Sequence, residues 1–248
     1  MKRMINKGII RVIVILVLLI IATTLFKITL KYVIKEKKVK TITTQETSSI
    51  PEIQEEIPQD KKEEKDWRLL LVNKENKVPD DYNPELANIE EDLFFDVRAV
   101  DELKQMLVHM KEDGVTGIWI QSSYRTIERQ EKLFQNKVKE YRKQGYSEEE
   151  AEKLAQTIVQ KPGNSEHNIA LSVDFNYVNE EFDKTKAFQW LEENAMNYGF
   201  ILRYPKDKIE ITGVNYEPWH WRYVGKEHAK EIKKQGYCLE EYVKVKRK

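Results

Sequence analysis

Between Val12 and Phe26 the chain carries no charge, and Thr23 and Thr24 are the only polar side chains in that run. Extended to Ile9–Leu30, it reaches the roughly 20 residues that cross a bilayer, with Arg11 and Lys27 snorkelling toward the headgroups. The pattern predicts a membrane anchor within residues 1–35. A cleaved signal peptide is the competing reading, because an uncharged core of this length also suits its apolar region. No small-x-small cleavage site follows, and no cysteine stands where a lipid-modified leader needs one. Basic residues flank the run on both sides, so charge does not orient it. Residues 36–66 are rich in Lys, Glu, Thr, Ser, Gln and isolated Pro, too poor in apolar side chains to bury a face, and read as a flexible stalk. A folded core therefore begins near Trp67.

The rest of the chain has room for one sizeable domain, expected over residues 67–240, with 241–248 as a basic tail. Lys+Arg and Asp+Glu both number 42, so no charge excess points to nucleic acid or another strongly charged partner. Cys238 is the only cysteine, which excludes an intramolecular disulfide and a multi-cysteine zinc site. Helical spacing of Val100, Leu103, Met106, Leu107 and Met110 predicts a helix over Val97–Lys111, stopped by Gly114. Ile118-Trp119-Ile120 reads as a strand and Thr126–Gln144 as a helix, which puts Ser122–Arg125 at a strand-to-helix junction. Ser147 and Glu150 form a capping box for a helix ending near Val159. Strands are expected over Ala170–Asn176, Phe200–Arg203 and Trp219–Val224, with helices over Thr185–Tyr198 and Lys226–Lys234. This mixture predicts an α+β domain with a small antiparallel sheet flanked by helices.

Only four histidines occur, and two stand in segments rich in other metal-ligand types, Ser165-Glu166-His167 through Asp174 and Glu217-Pro218-Trp219-His220. A hydrolytic zinc needs about three imidazole or carboxylate ligands and an open position for water. His167, Asp174 and His220 supply such a set, and metal ligation would offset the cost of an ionised Asp174 in the apolar run Leu171–Phe175. Water activation also needs a base. Glu217 and Glu166 both qualify, and Glu217 reaches the face of His220 only if Pro218 interrupts the strand. Against this stands the plainer reading, in which histidines beside tryptophans are packed or surface residues and the aspartate is salt-bridged. His109 and His228 read as solvated, Trp219, Trp221 and Tyr223 as core, and Cys238 as unreactive.

The ordered motifs resemble those of the VanY-type D-alanyl-D-alanine carboxypeptidases and their L,D-carboxypeptidase relatives, zinc enzymes that trim peptidoglycan stem peptides. Ser123-Tyr124-Arg125-Thr126 with Gln130, Pro162 to Asp174, and Glu217 to Gly225 carry the resemblance over most of residues 66–240. It implies zinc held by His167, Asp174 and His220, Glu217 as catalytic base, Arg125 on the carbonyl oxygen or the terminal carboxylate, and Gln130 and Ser165 as substrate contacts. It also implies a substrate outside the membrane. One departure stands out: the family's Gly-Leu-Ala-x-Asp is here Ala170-Leu171-Ser172-Val173-Asp174, which leaves local packing open. The expected activity is D-alanyl-D-alanine carboxypeptidase, with L,D-carboxypeptidase action, an endopeptidase or dipeptidase of related architecture, and a non-catalytic wall-binding module as rivals.

Overall fold

The computed structural model describes residues 66–247, so the expected anchor and most of the stalk lie outside the described residues. Among the described residues no helix is long and apolar enough to cross a membrane. The order of regular elements is β1 (Leu86–Glu90), β2 (Leu93–Asp96), α1 (Val100–Glu112), β3 (Ile120–Ser122), α2 (Ile127–Lys143), α3 (Glu148–Gln156), β4 (Ser172–Phe175), α4 (Lys186–Asn194), β5 (Phe200–Leu202), α5 (Ile209–Thr212), β6 (His220–Tyr223), α6 (Lys226–Gln235) and α7 (Leu239–Lys246). Short 3₁₀ turns, including Glu166–Ile169, fill several connections.

The central sheet has four antiparallel strands in the order β3-β4-β6-β5. In the β4–β6 pair Ser172 faces Arg222, Val173 faces Trp221 and Asp174 faces His220. Because strand side chains alternate, Val173 and Trp221 enter the main core while Ser172, Asp174, His220 and Arg222 share the opposite face. A sheet buried on both faces accepts such polar residues only if each finds a partner.

Local chemistry explains where most helices begin and end. Thr126 caps α2 through its hydroxyl, and Ser147 and Glu150 make the expected capping box on α3. Gly199, at φ 87°, closes the turn after α4, where an added Cβ would fall 2.8 Å from the Tyr223 ring. The β1–β2 hairpin, α5 and α7 were not anticipated. The β1–β2 hairpin turns through Glu91 at φ 43°, without the glycine that normally marks such a turn. Lys244 and Lys246 of the basic stretch stand on α7, which buries Leu239, Tyr242 and Val243 against Ile201, Val224 and Ile232. Their spacing of three and four residues is that of a helix stripe. His228 also differs from expectation, since it is largely buried between Asp66 and the Tyr242 hydroxyl, at 2.9 and 2.8 Å.

Candidate metal centre and cleft

His167 sits on the 3₁₀ turn just before β4, Asp174 within β4, and His220 at the first residue of β6. One ligand atom from each lies within 4.8 Å of the others, and all three residues are buried. The Nδ1 of His167 is 2.6 Å from the Ser123 carbonyl, which as an acceptor requires the proton there. The opposite nitrogen, Nε2, is buried with no hydrogen-bond partner although Asp174 Oδ2 is 3.1 Å away. A buried imidazole lone pair aimed at a carboxylate oxygen is what a bridging cation satisfies. His220 approaches Asp174 Oδ1 with Nδ1, at 2.8 Å, and turns Nε2 toward Glu166. The donor set of two imidazoles and one carboxylate fits a zinc-type ion, with His167 offering Nε2 and His220 Nδ1.

Electrostatics separates the two candidate bases. Glu166 is fully buried, which pushes its carboxyl up, yet Arg203 and Arg222 hold it well below the ordinary carboxylate range. Glu217 has no comparable partner: burial pushes it up to about 8, with His220 and Arg125 only partly opposing. A carboxyl whose proton affinity is moved toward neutrality can exchange a proton when ionised, whereas Glu166 stays a fixed anion. The geometry agrees. Pro218 and Trp219 form a turn closed by His220 N–H donating to the Glu217 carbonyl at 3.1 Å, so the strand begins only at His220. The Glu217 carboxylate thereby swings back to 4.0 Å from His220 Nδ1.

Burial also lowers His167, to about 4, reinforced by the nearby Arg125 cation. Burial works against the charge on His220 too, but hydrogen bonds to Asp174 and Glu166 raise it to about 9. Asp174, pushed up by burial, is held far down by both histidines.

A cavity of about 400 Å³ opens over the triad and is also lined by Glu217, Arg125, Gln130, Ser165 and Tyr204. Arg125 is held at the junction of β3 and α2 by its own N–H donating to the His167 carbonyl, 3.0 Å, and by Asn168 donating to its carbonyl, 2.8 Å. Its guanidinium lies 3.8 Å from Asp174, and its buried Nε has no partner. Gln130 donates to the Gln160 carbonyl at 2.6 Å, leaving a buried Oε1 unpartnered. Ser165 is buried and also lines the cavity. Tyr204, fully buried with its ring 5.0 Å from that of His220, was not anticipated, because nothing in its local sequence connects it with the histidines. The two departures also resolve. Ala170 caps the 3₁₀ turn at φ 58°, a left-handed position that favours glycine, with its methyl accommodated. The Ser172 hydroxyl is buried without a partner.

The family described as VanY, D-alanyl-D-alanine carboxypeptidase, matches residues 93–226, a segment holding every residue of this cluster. The chain belongs to the VanY family. A D-alanyl-D-alanine carboxypeptidase of Enterococcus faecalis is 43% identical over 181 residues, covering 73% of this chain and 67% of the relative. A solved structure of VanYB in complex with D-alanine-D-alanine aligns at TM-score 0.66 and 42% identity, covering 72% of this chain and 98% of that one. A mutant of the vancomycin resistance D,D-pentapeptidase VanY in complex with Zn(II) aligns at TM-score 0.65 and 42% identity, over 71% and 99% of the two chains. The LD-carboxypeptidase LdcB aligns at TM-score 0.61 and 37% identity, over 70% and 84%.

Proposed function

We propose that this chain is a zinc-dependent carboxypeptidase that removes the terminal D-alanine from peptidoglycan stem peptides. The observation carrying this reading is the convergence of His167, Asp174 and His220 with Glu217 and Arg125 in one cavity. The complexes of VanY relatives with Zn(II) and with D-alanine-D-alanine support the metal and the substrate class. Zinc held by the triad would polarise the scissile carbonyl and make the attacking water more acidic. Glu217 takes the proton from that water and returns it to the departing amine, a role that suits its raised affinity for protons. Arg125 presents a buried guanidinium, with one N–H free, to the developing oxyanion or the terminal carboxylate. Gln130 Oε1 and the Ser165 hydroxyl offer polar contacts along the same wall.

The test incubates the purified protein with stem pentapeptide and tetrapeptide, with and without a zinc chelator. Zinc-dependent release of D-alanine from the pentapeptide is the expected result; release from neither peptide refutes the reading. The likeness to LdcB favours a second reading, L,D-carboxypeptidase action, for which release from the tetrapeptide alone is the signature. Such substrates lie outside the membrane. The apolar run in residues 1–35 supports a single-pass anchor, with 36–66 as the stalk that lets an extracytoplasmic domain reach the wall. Protease shaving of intact cells should then release the domain.

A further inference from the structure

Behind His220, on the side away from Glu217, lies a charge network that the proposed proton transfers do not use. Glu166 Oε2 is 3.4 Å from His220 Nε2, while its other oxygen, Oε1, accepts from Arg203 Nε at 2.7 Å and Arg222 Nη1 at 2.9 Å. Arg203 forks onto Glu240 of α7 at 2.6 and 2.9 Å, and Asn73 donates to the same carboxylate at 3.1 Å. Arg222 donates to the carbonyls of Arg68 and Leu70, both at 3.0 Å. Residues 68–73 and α7 fall outside the segment 93–226 matched by the VanY family.

The division of labour between the Glu166 oxygens is informative. Two guanidiniums lock Oε1, so the carboxylate cannot rotate, and Oε2 is left for one imidazole N–H. A carboxylate on Nε2 keeps the proton there and leaves the Nδ1 lone pair directed toward Asp174. We propose that Glu166 is a positioning residue for the metal centre, holding His220 in its Nδ1-donating tautomer, and that α7 supports it through Glu240 and Arg203. The last helix is then part of the metal site's scaffold.

This inference rests on the triad being a zinc site, and not on which peptide is cut. Zinc affinity is measured by chelator competition for the full-length wild type, Glu166→Gln and Glu240→Gln, with thermal unfolding alongside. Glu166→Gln should weaken zinc binding about 10- to 100-fold and Glu240→Gln by a smaller factor, with KM little changed. Folded variants that bind zinc as tightly as wild type overturn the proposal. Should Glu166→Gln fail to fold, nitrogen NMR of the zinc-loaded wild type decides: His220 must carry its proton on Nε2, and a bare Nε2 overturns it. A wild type that binds no zinc refutes the metal reading itself, which is a different outcome.

Discussion

Glu166 and Glu217 are both buried carboxylates beside His220, and their neighbours send them in opposite directions. Two arginines keep the first ionised, while in the metal-free protein burial raises the second to about 8. Glu217→Gln retains size and burial but cannot shuttle a proton, so kcat should fall about 10²- to 10⁴-fold with zinc still bound. Linkage turns the same shifts into a pH effect. In the metal-free protein Glu217 holds a proton from about pH 4.5 to 8 that the unfolded chain has lost, so stability falls as pH rises through that window. His220, shifted from 6.5 to about 9, acts in the same direction at its upper end. His167, shifted down to about 4, opposes only below pH 6.5. Melting of the chelator-treated protein should therefore drop between pH 6.5 and 8, and less steeply in Glu217→Gln. At Ser172 the buried hydroxyl has no protein hydrogen-bond partner. Ser172→Ala should raise stability by up to about 1 kcal/mol, seen as a melting point a few degrees higher; a lower one would show that the hydroxyl is satisfied.

At the scale of elements, helices with clear chemical punctuation were legible in the sequence. The Ser147–Glu150 box marks the start of α3, and Thr126 marks that of α2, because capping is a matter of residues three apart in the chain. The α2–α3 pair meets through a small core of Phe134, Val138, Ala151 and Ala155. Ser147→Ala should cost about 1 kcal/mol in thermal unfolding while leaving kcat/KM unchanged, since α3 contributes no residue to the catalytic cluster. The β1–β2 hairpin and α7 were not legible. Glu91 adopts a left-handed turn that its side chain does not advertise, and the lysines of α7 hide a three-residue apolar stripe whose burial depends on β5 and α6.

At the scale of the molecule, the metal triad is closed by the pairing of β4 with β6, which brings together Asp174 and His220 from 46 residues apart. Bound metal should stabilise the fold by mass action, about 4 kcal/mol at a free concentration 1,000 times Kd. Scanning calorimetry should show a lower melting point on chelation and recovery on adding zinc; an unchanged one would argue against metal at this site. The types of residue that can ligate a metal, and most of the helices and strands that carry them, were set by the sequence, since periodicity, caps and scarce histidines are local properties. Which of the two buried glutamates is clamped by arginines and which is left without such a clamp was decided by tertiary structure. So was the joining of Arg203, Arg222 and Glu240 to the metal site. The physical reason is that a buried side chain's charge state depends on the partners that burial brings to it, and here those partners come from strands, turns and a last helix far apart along the chain.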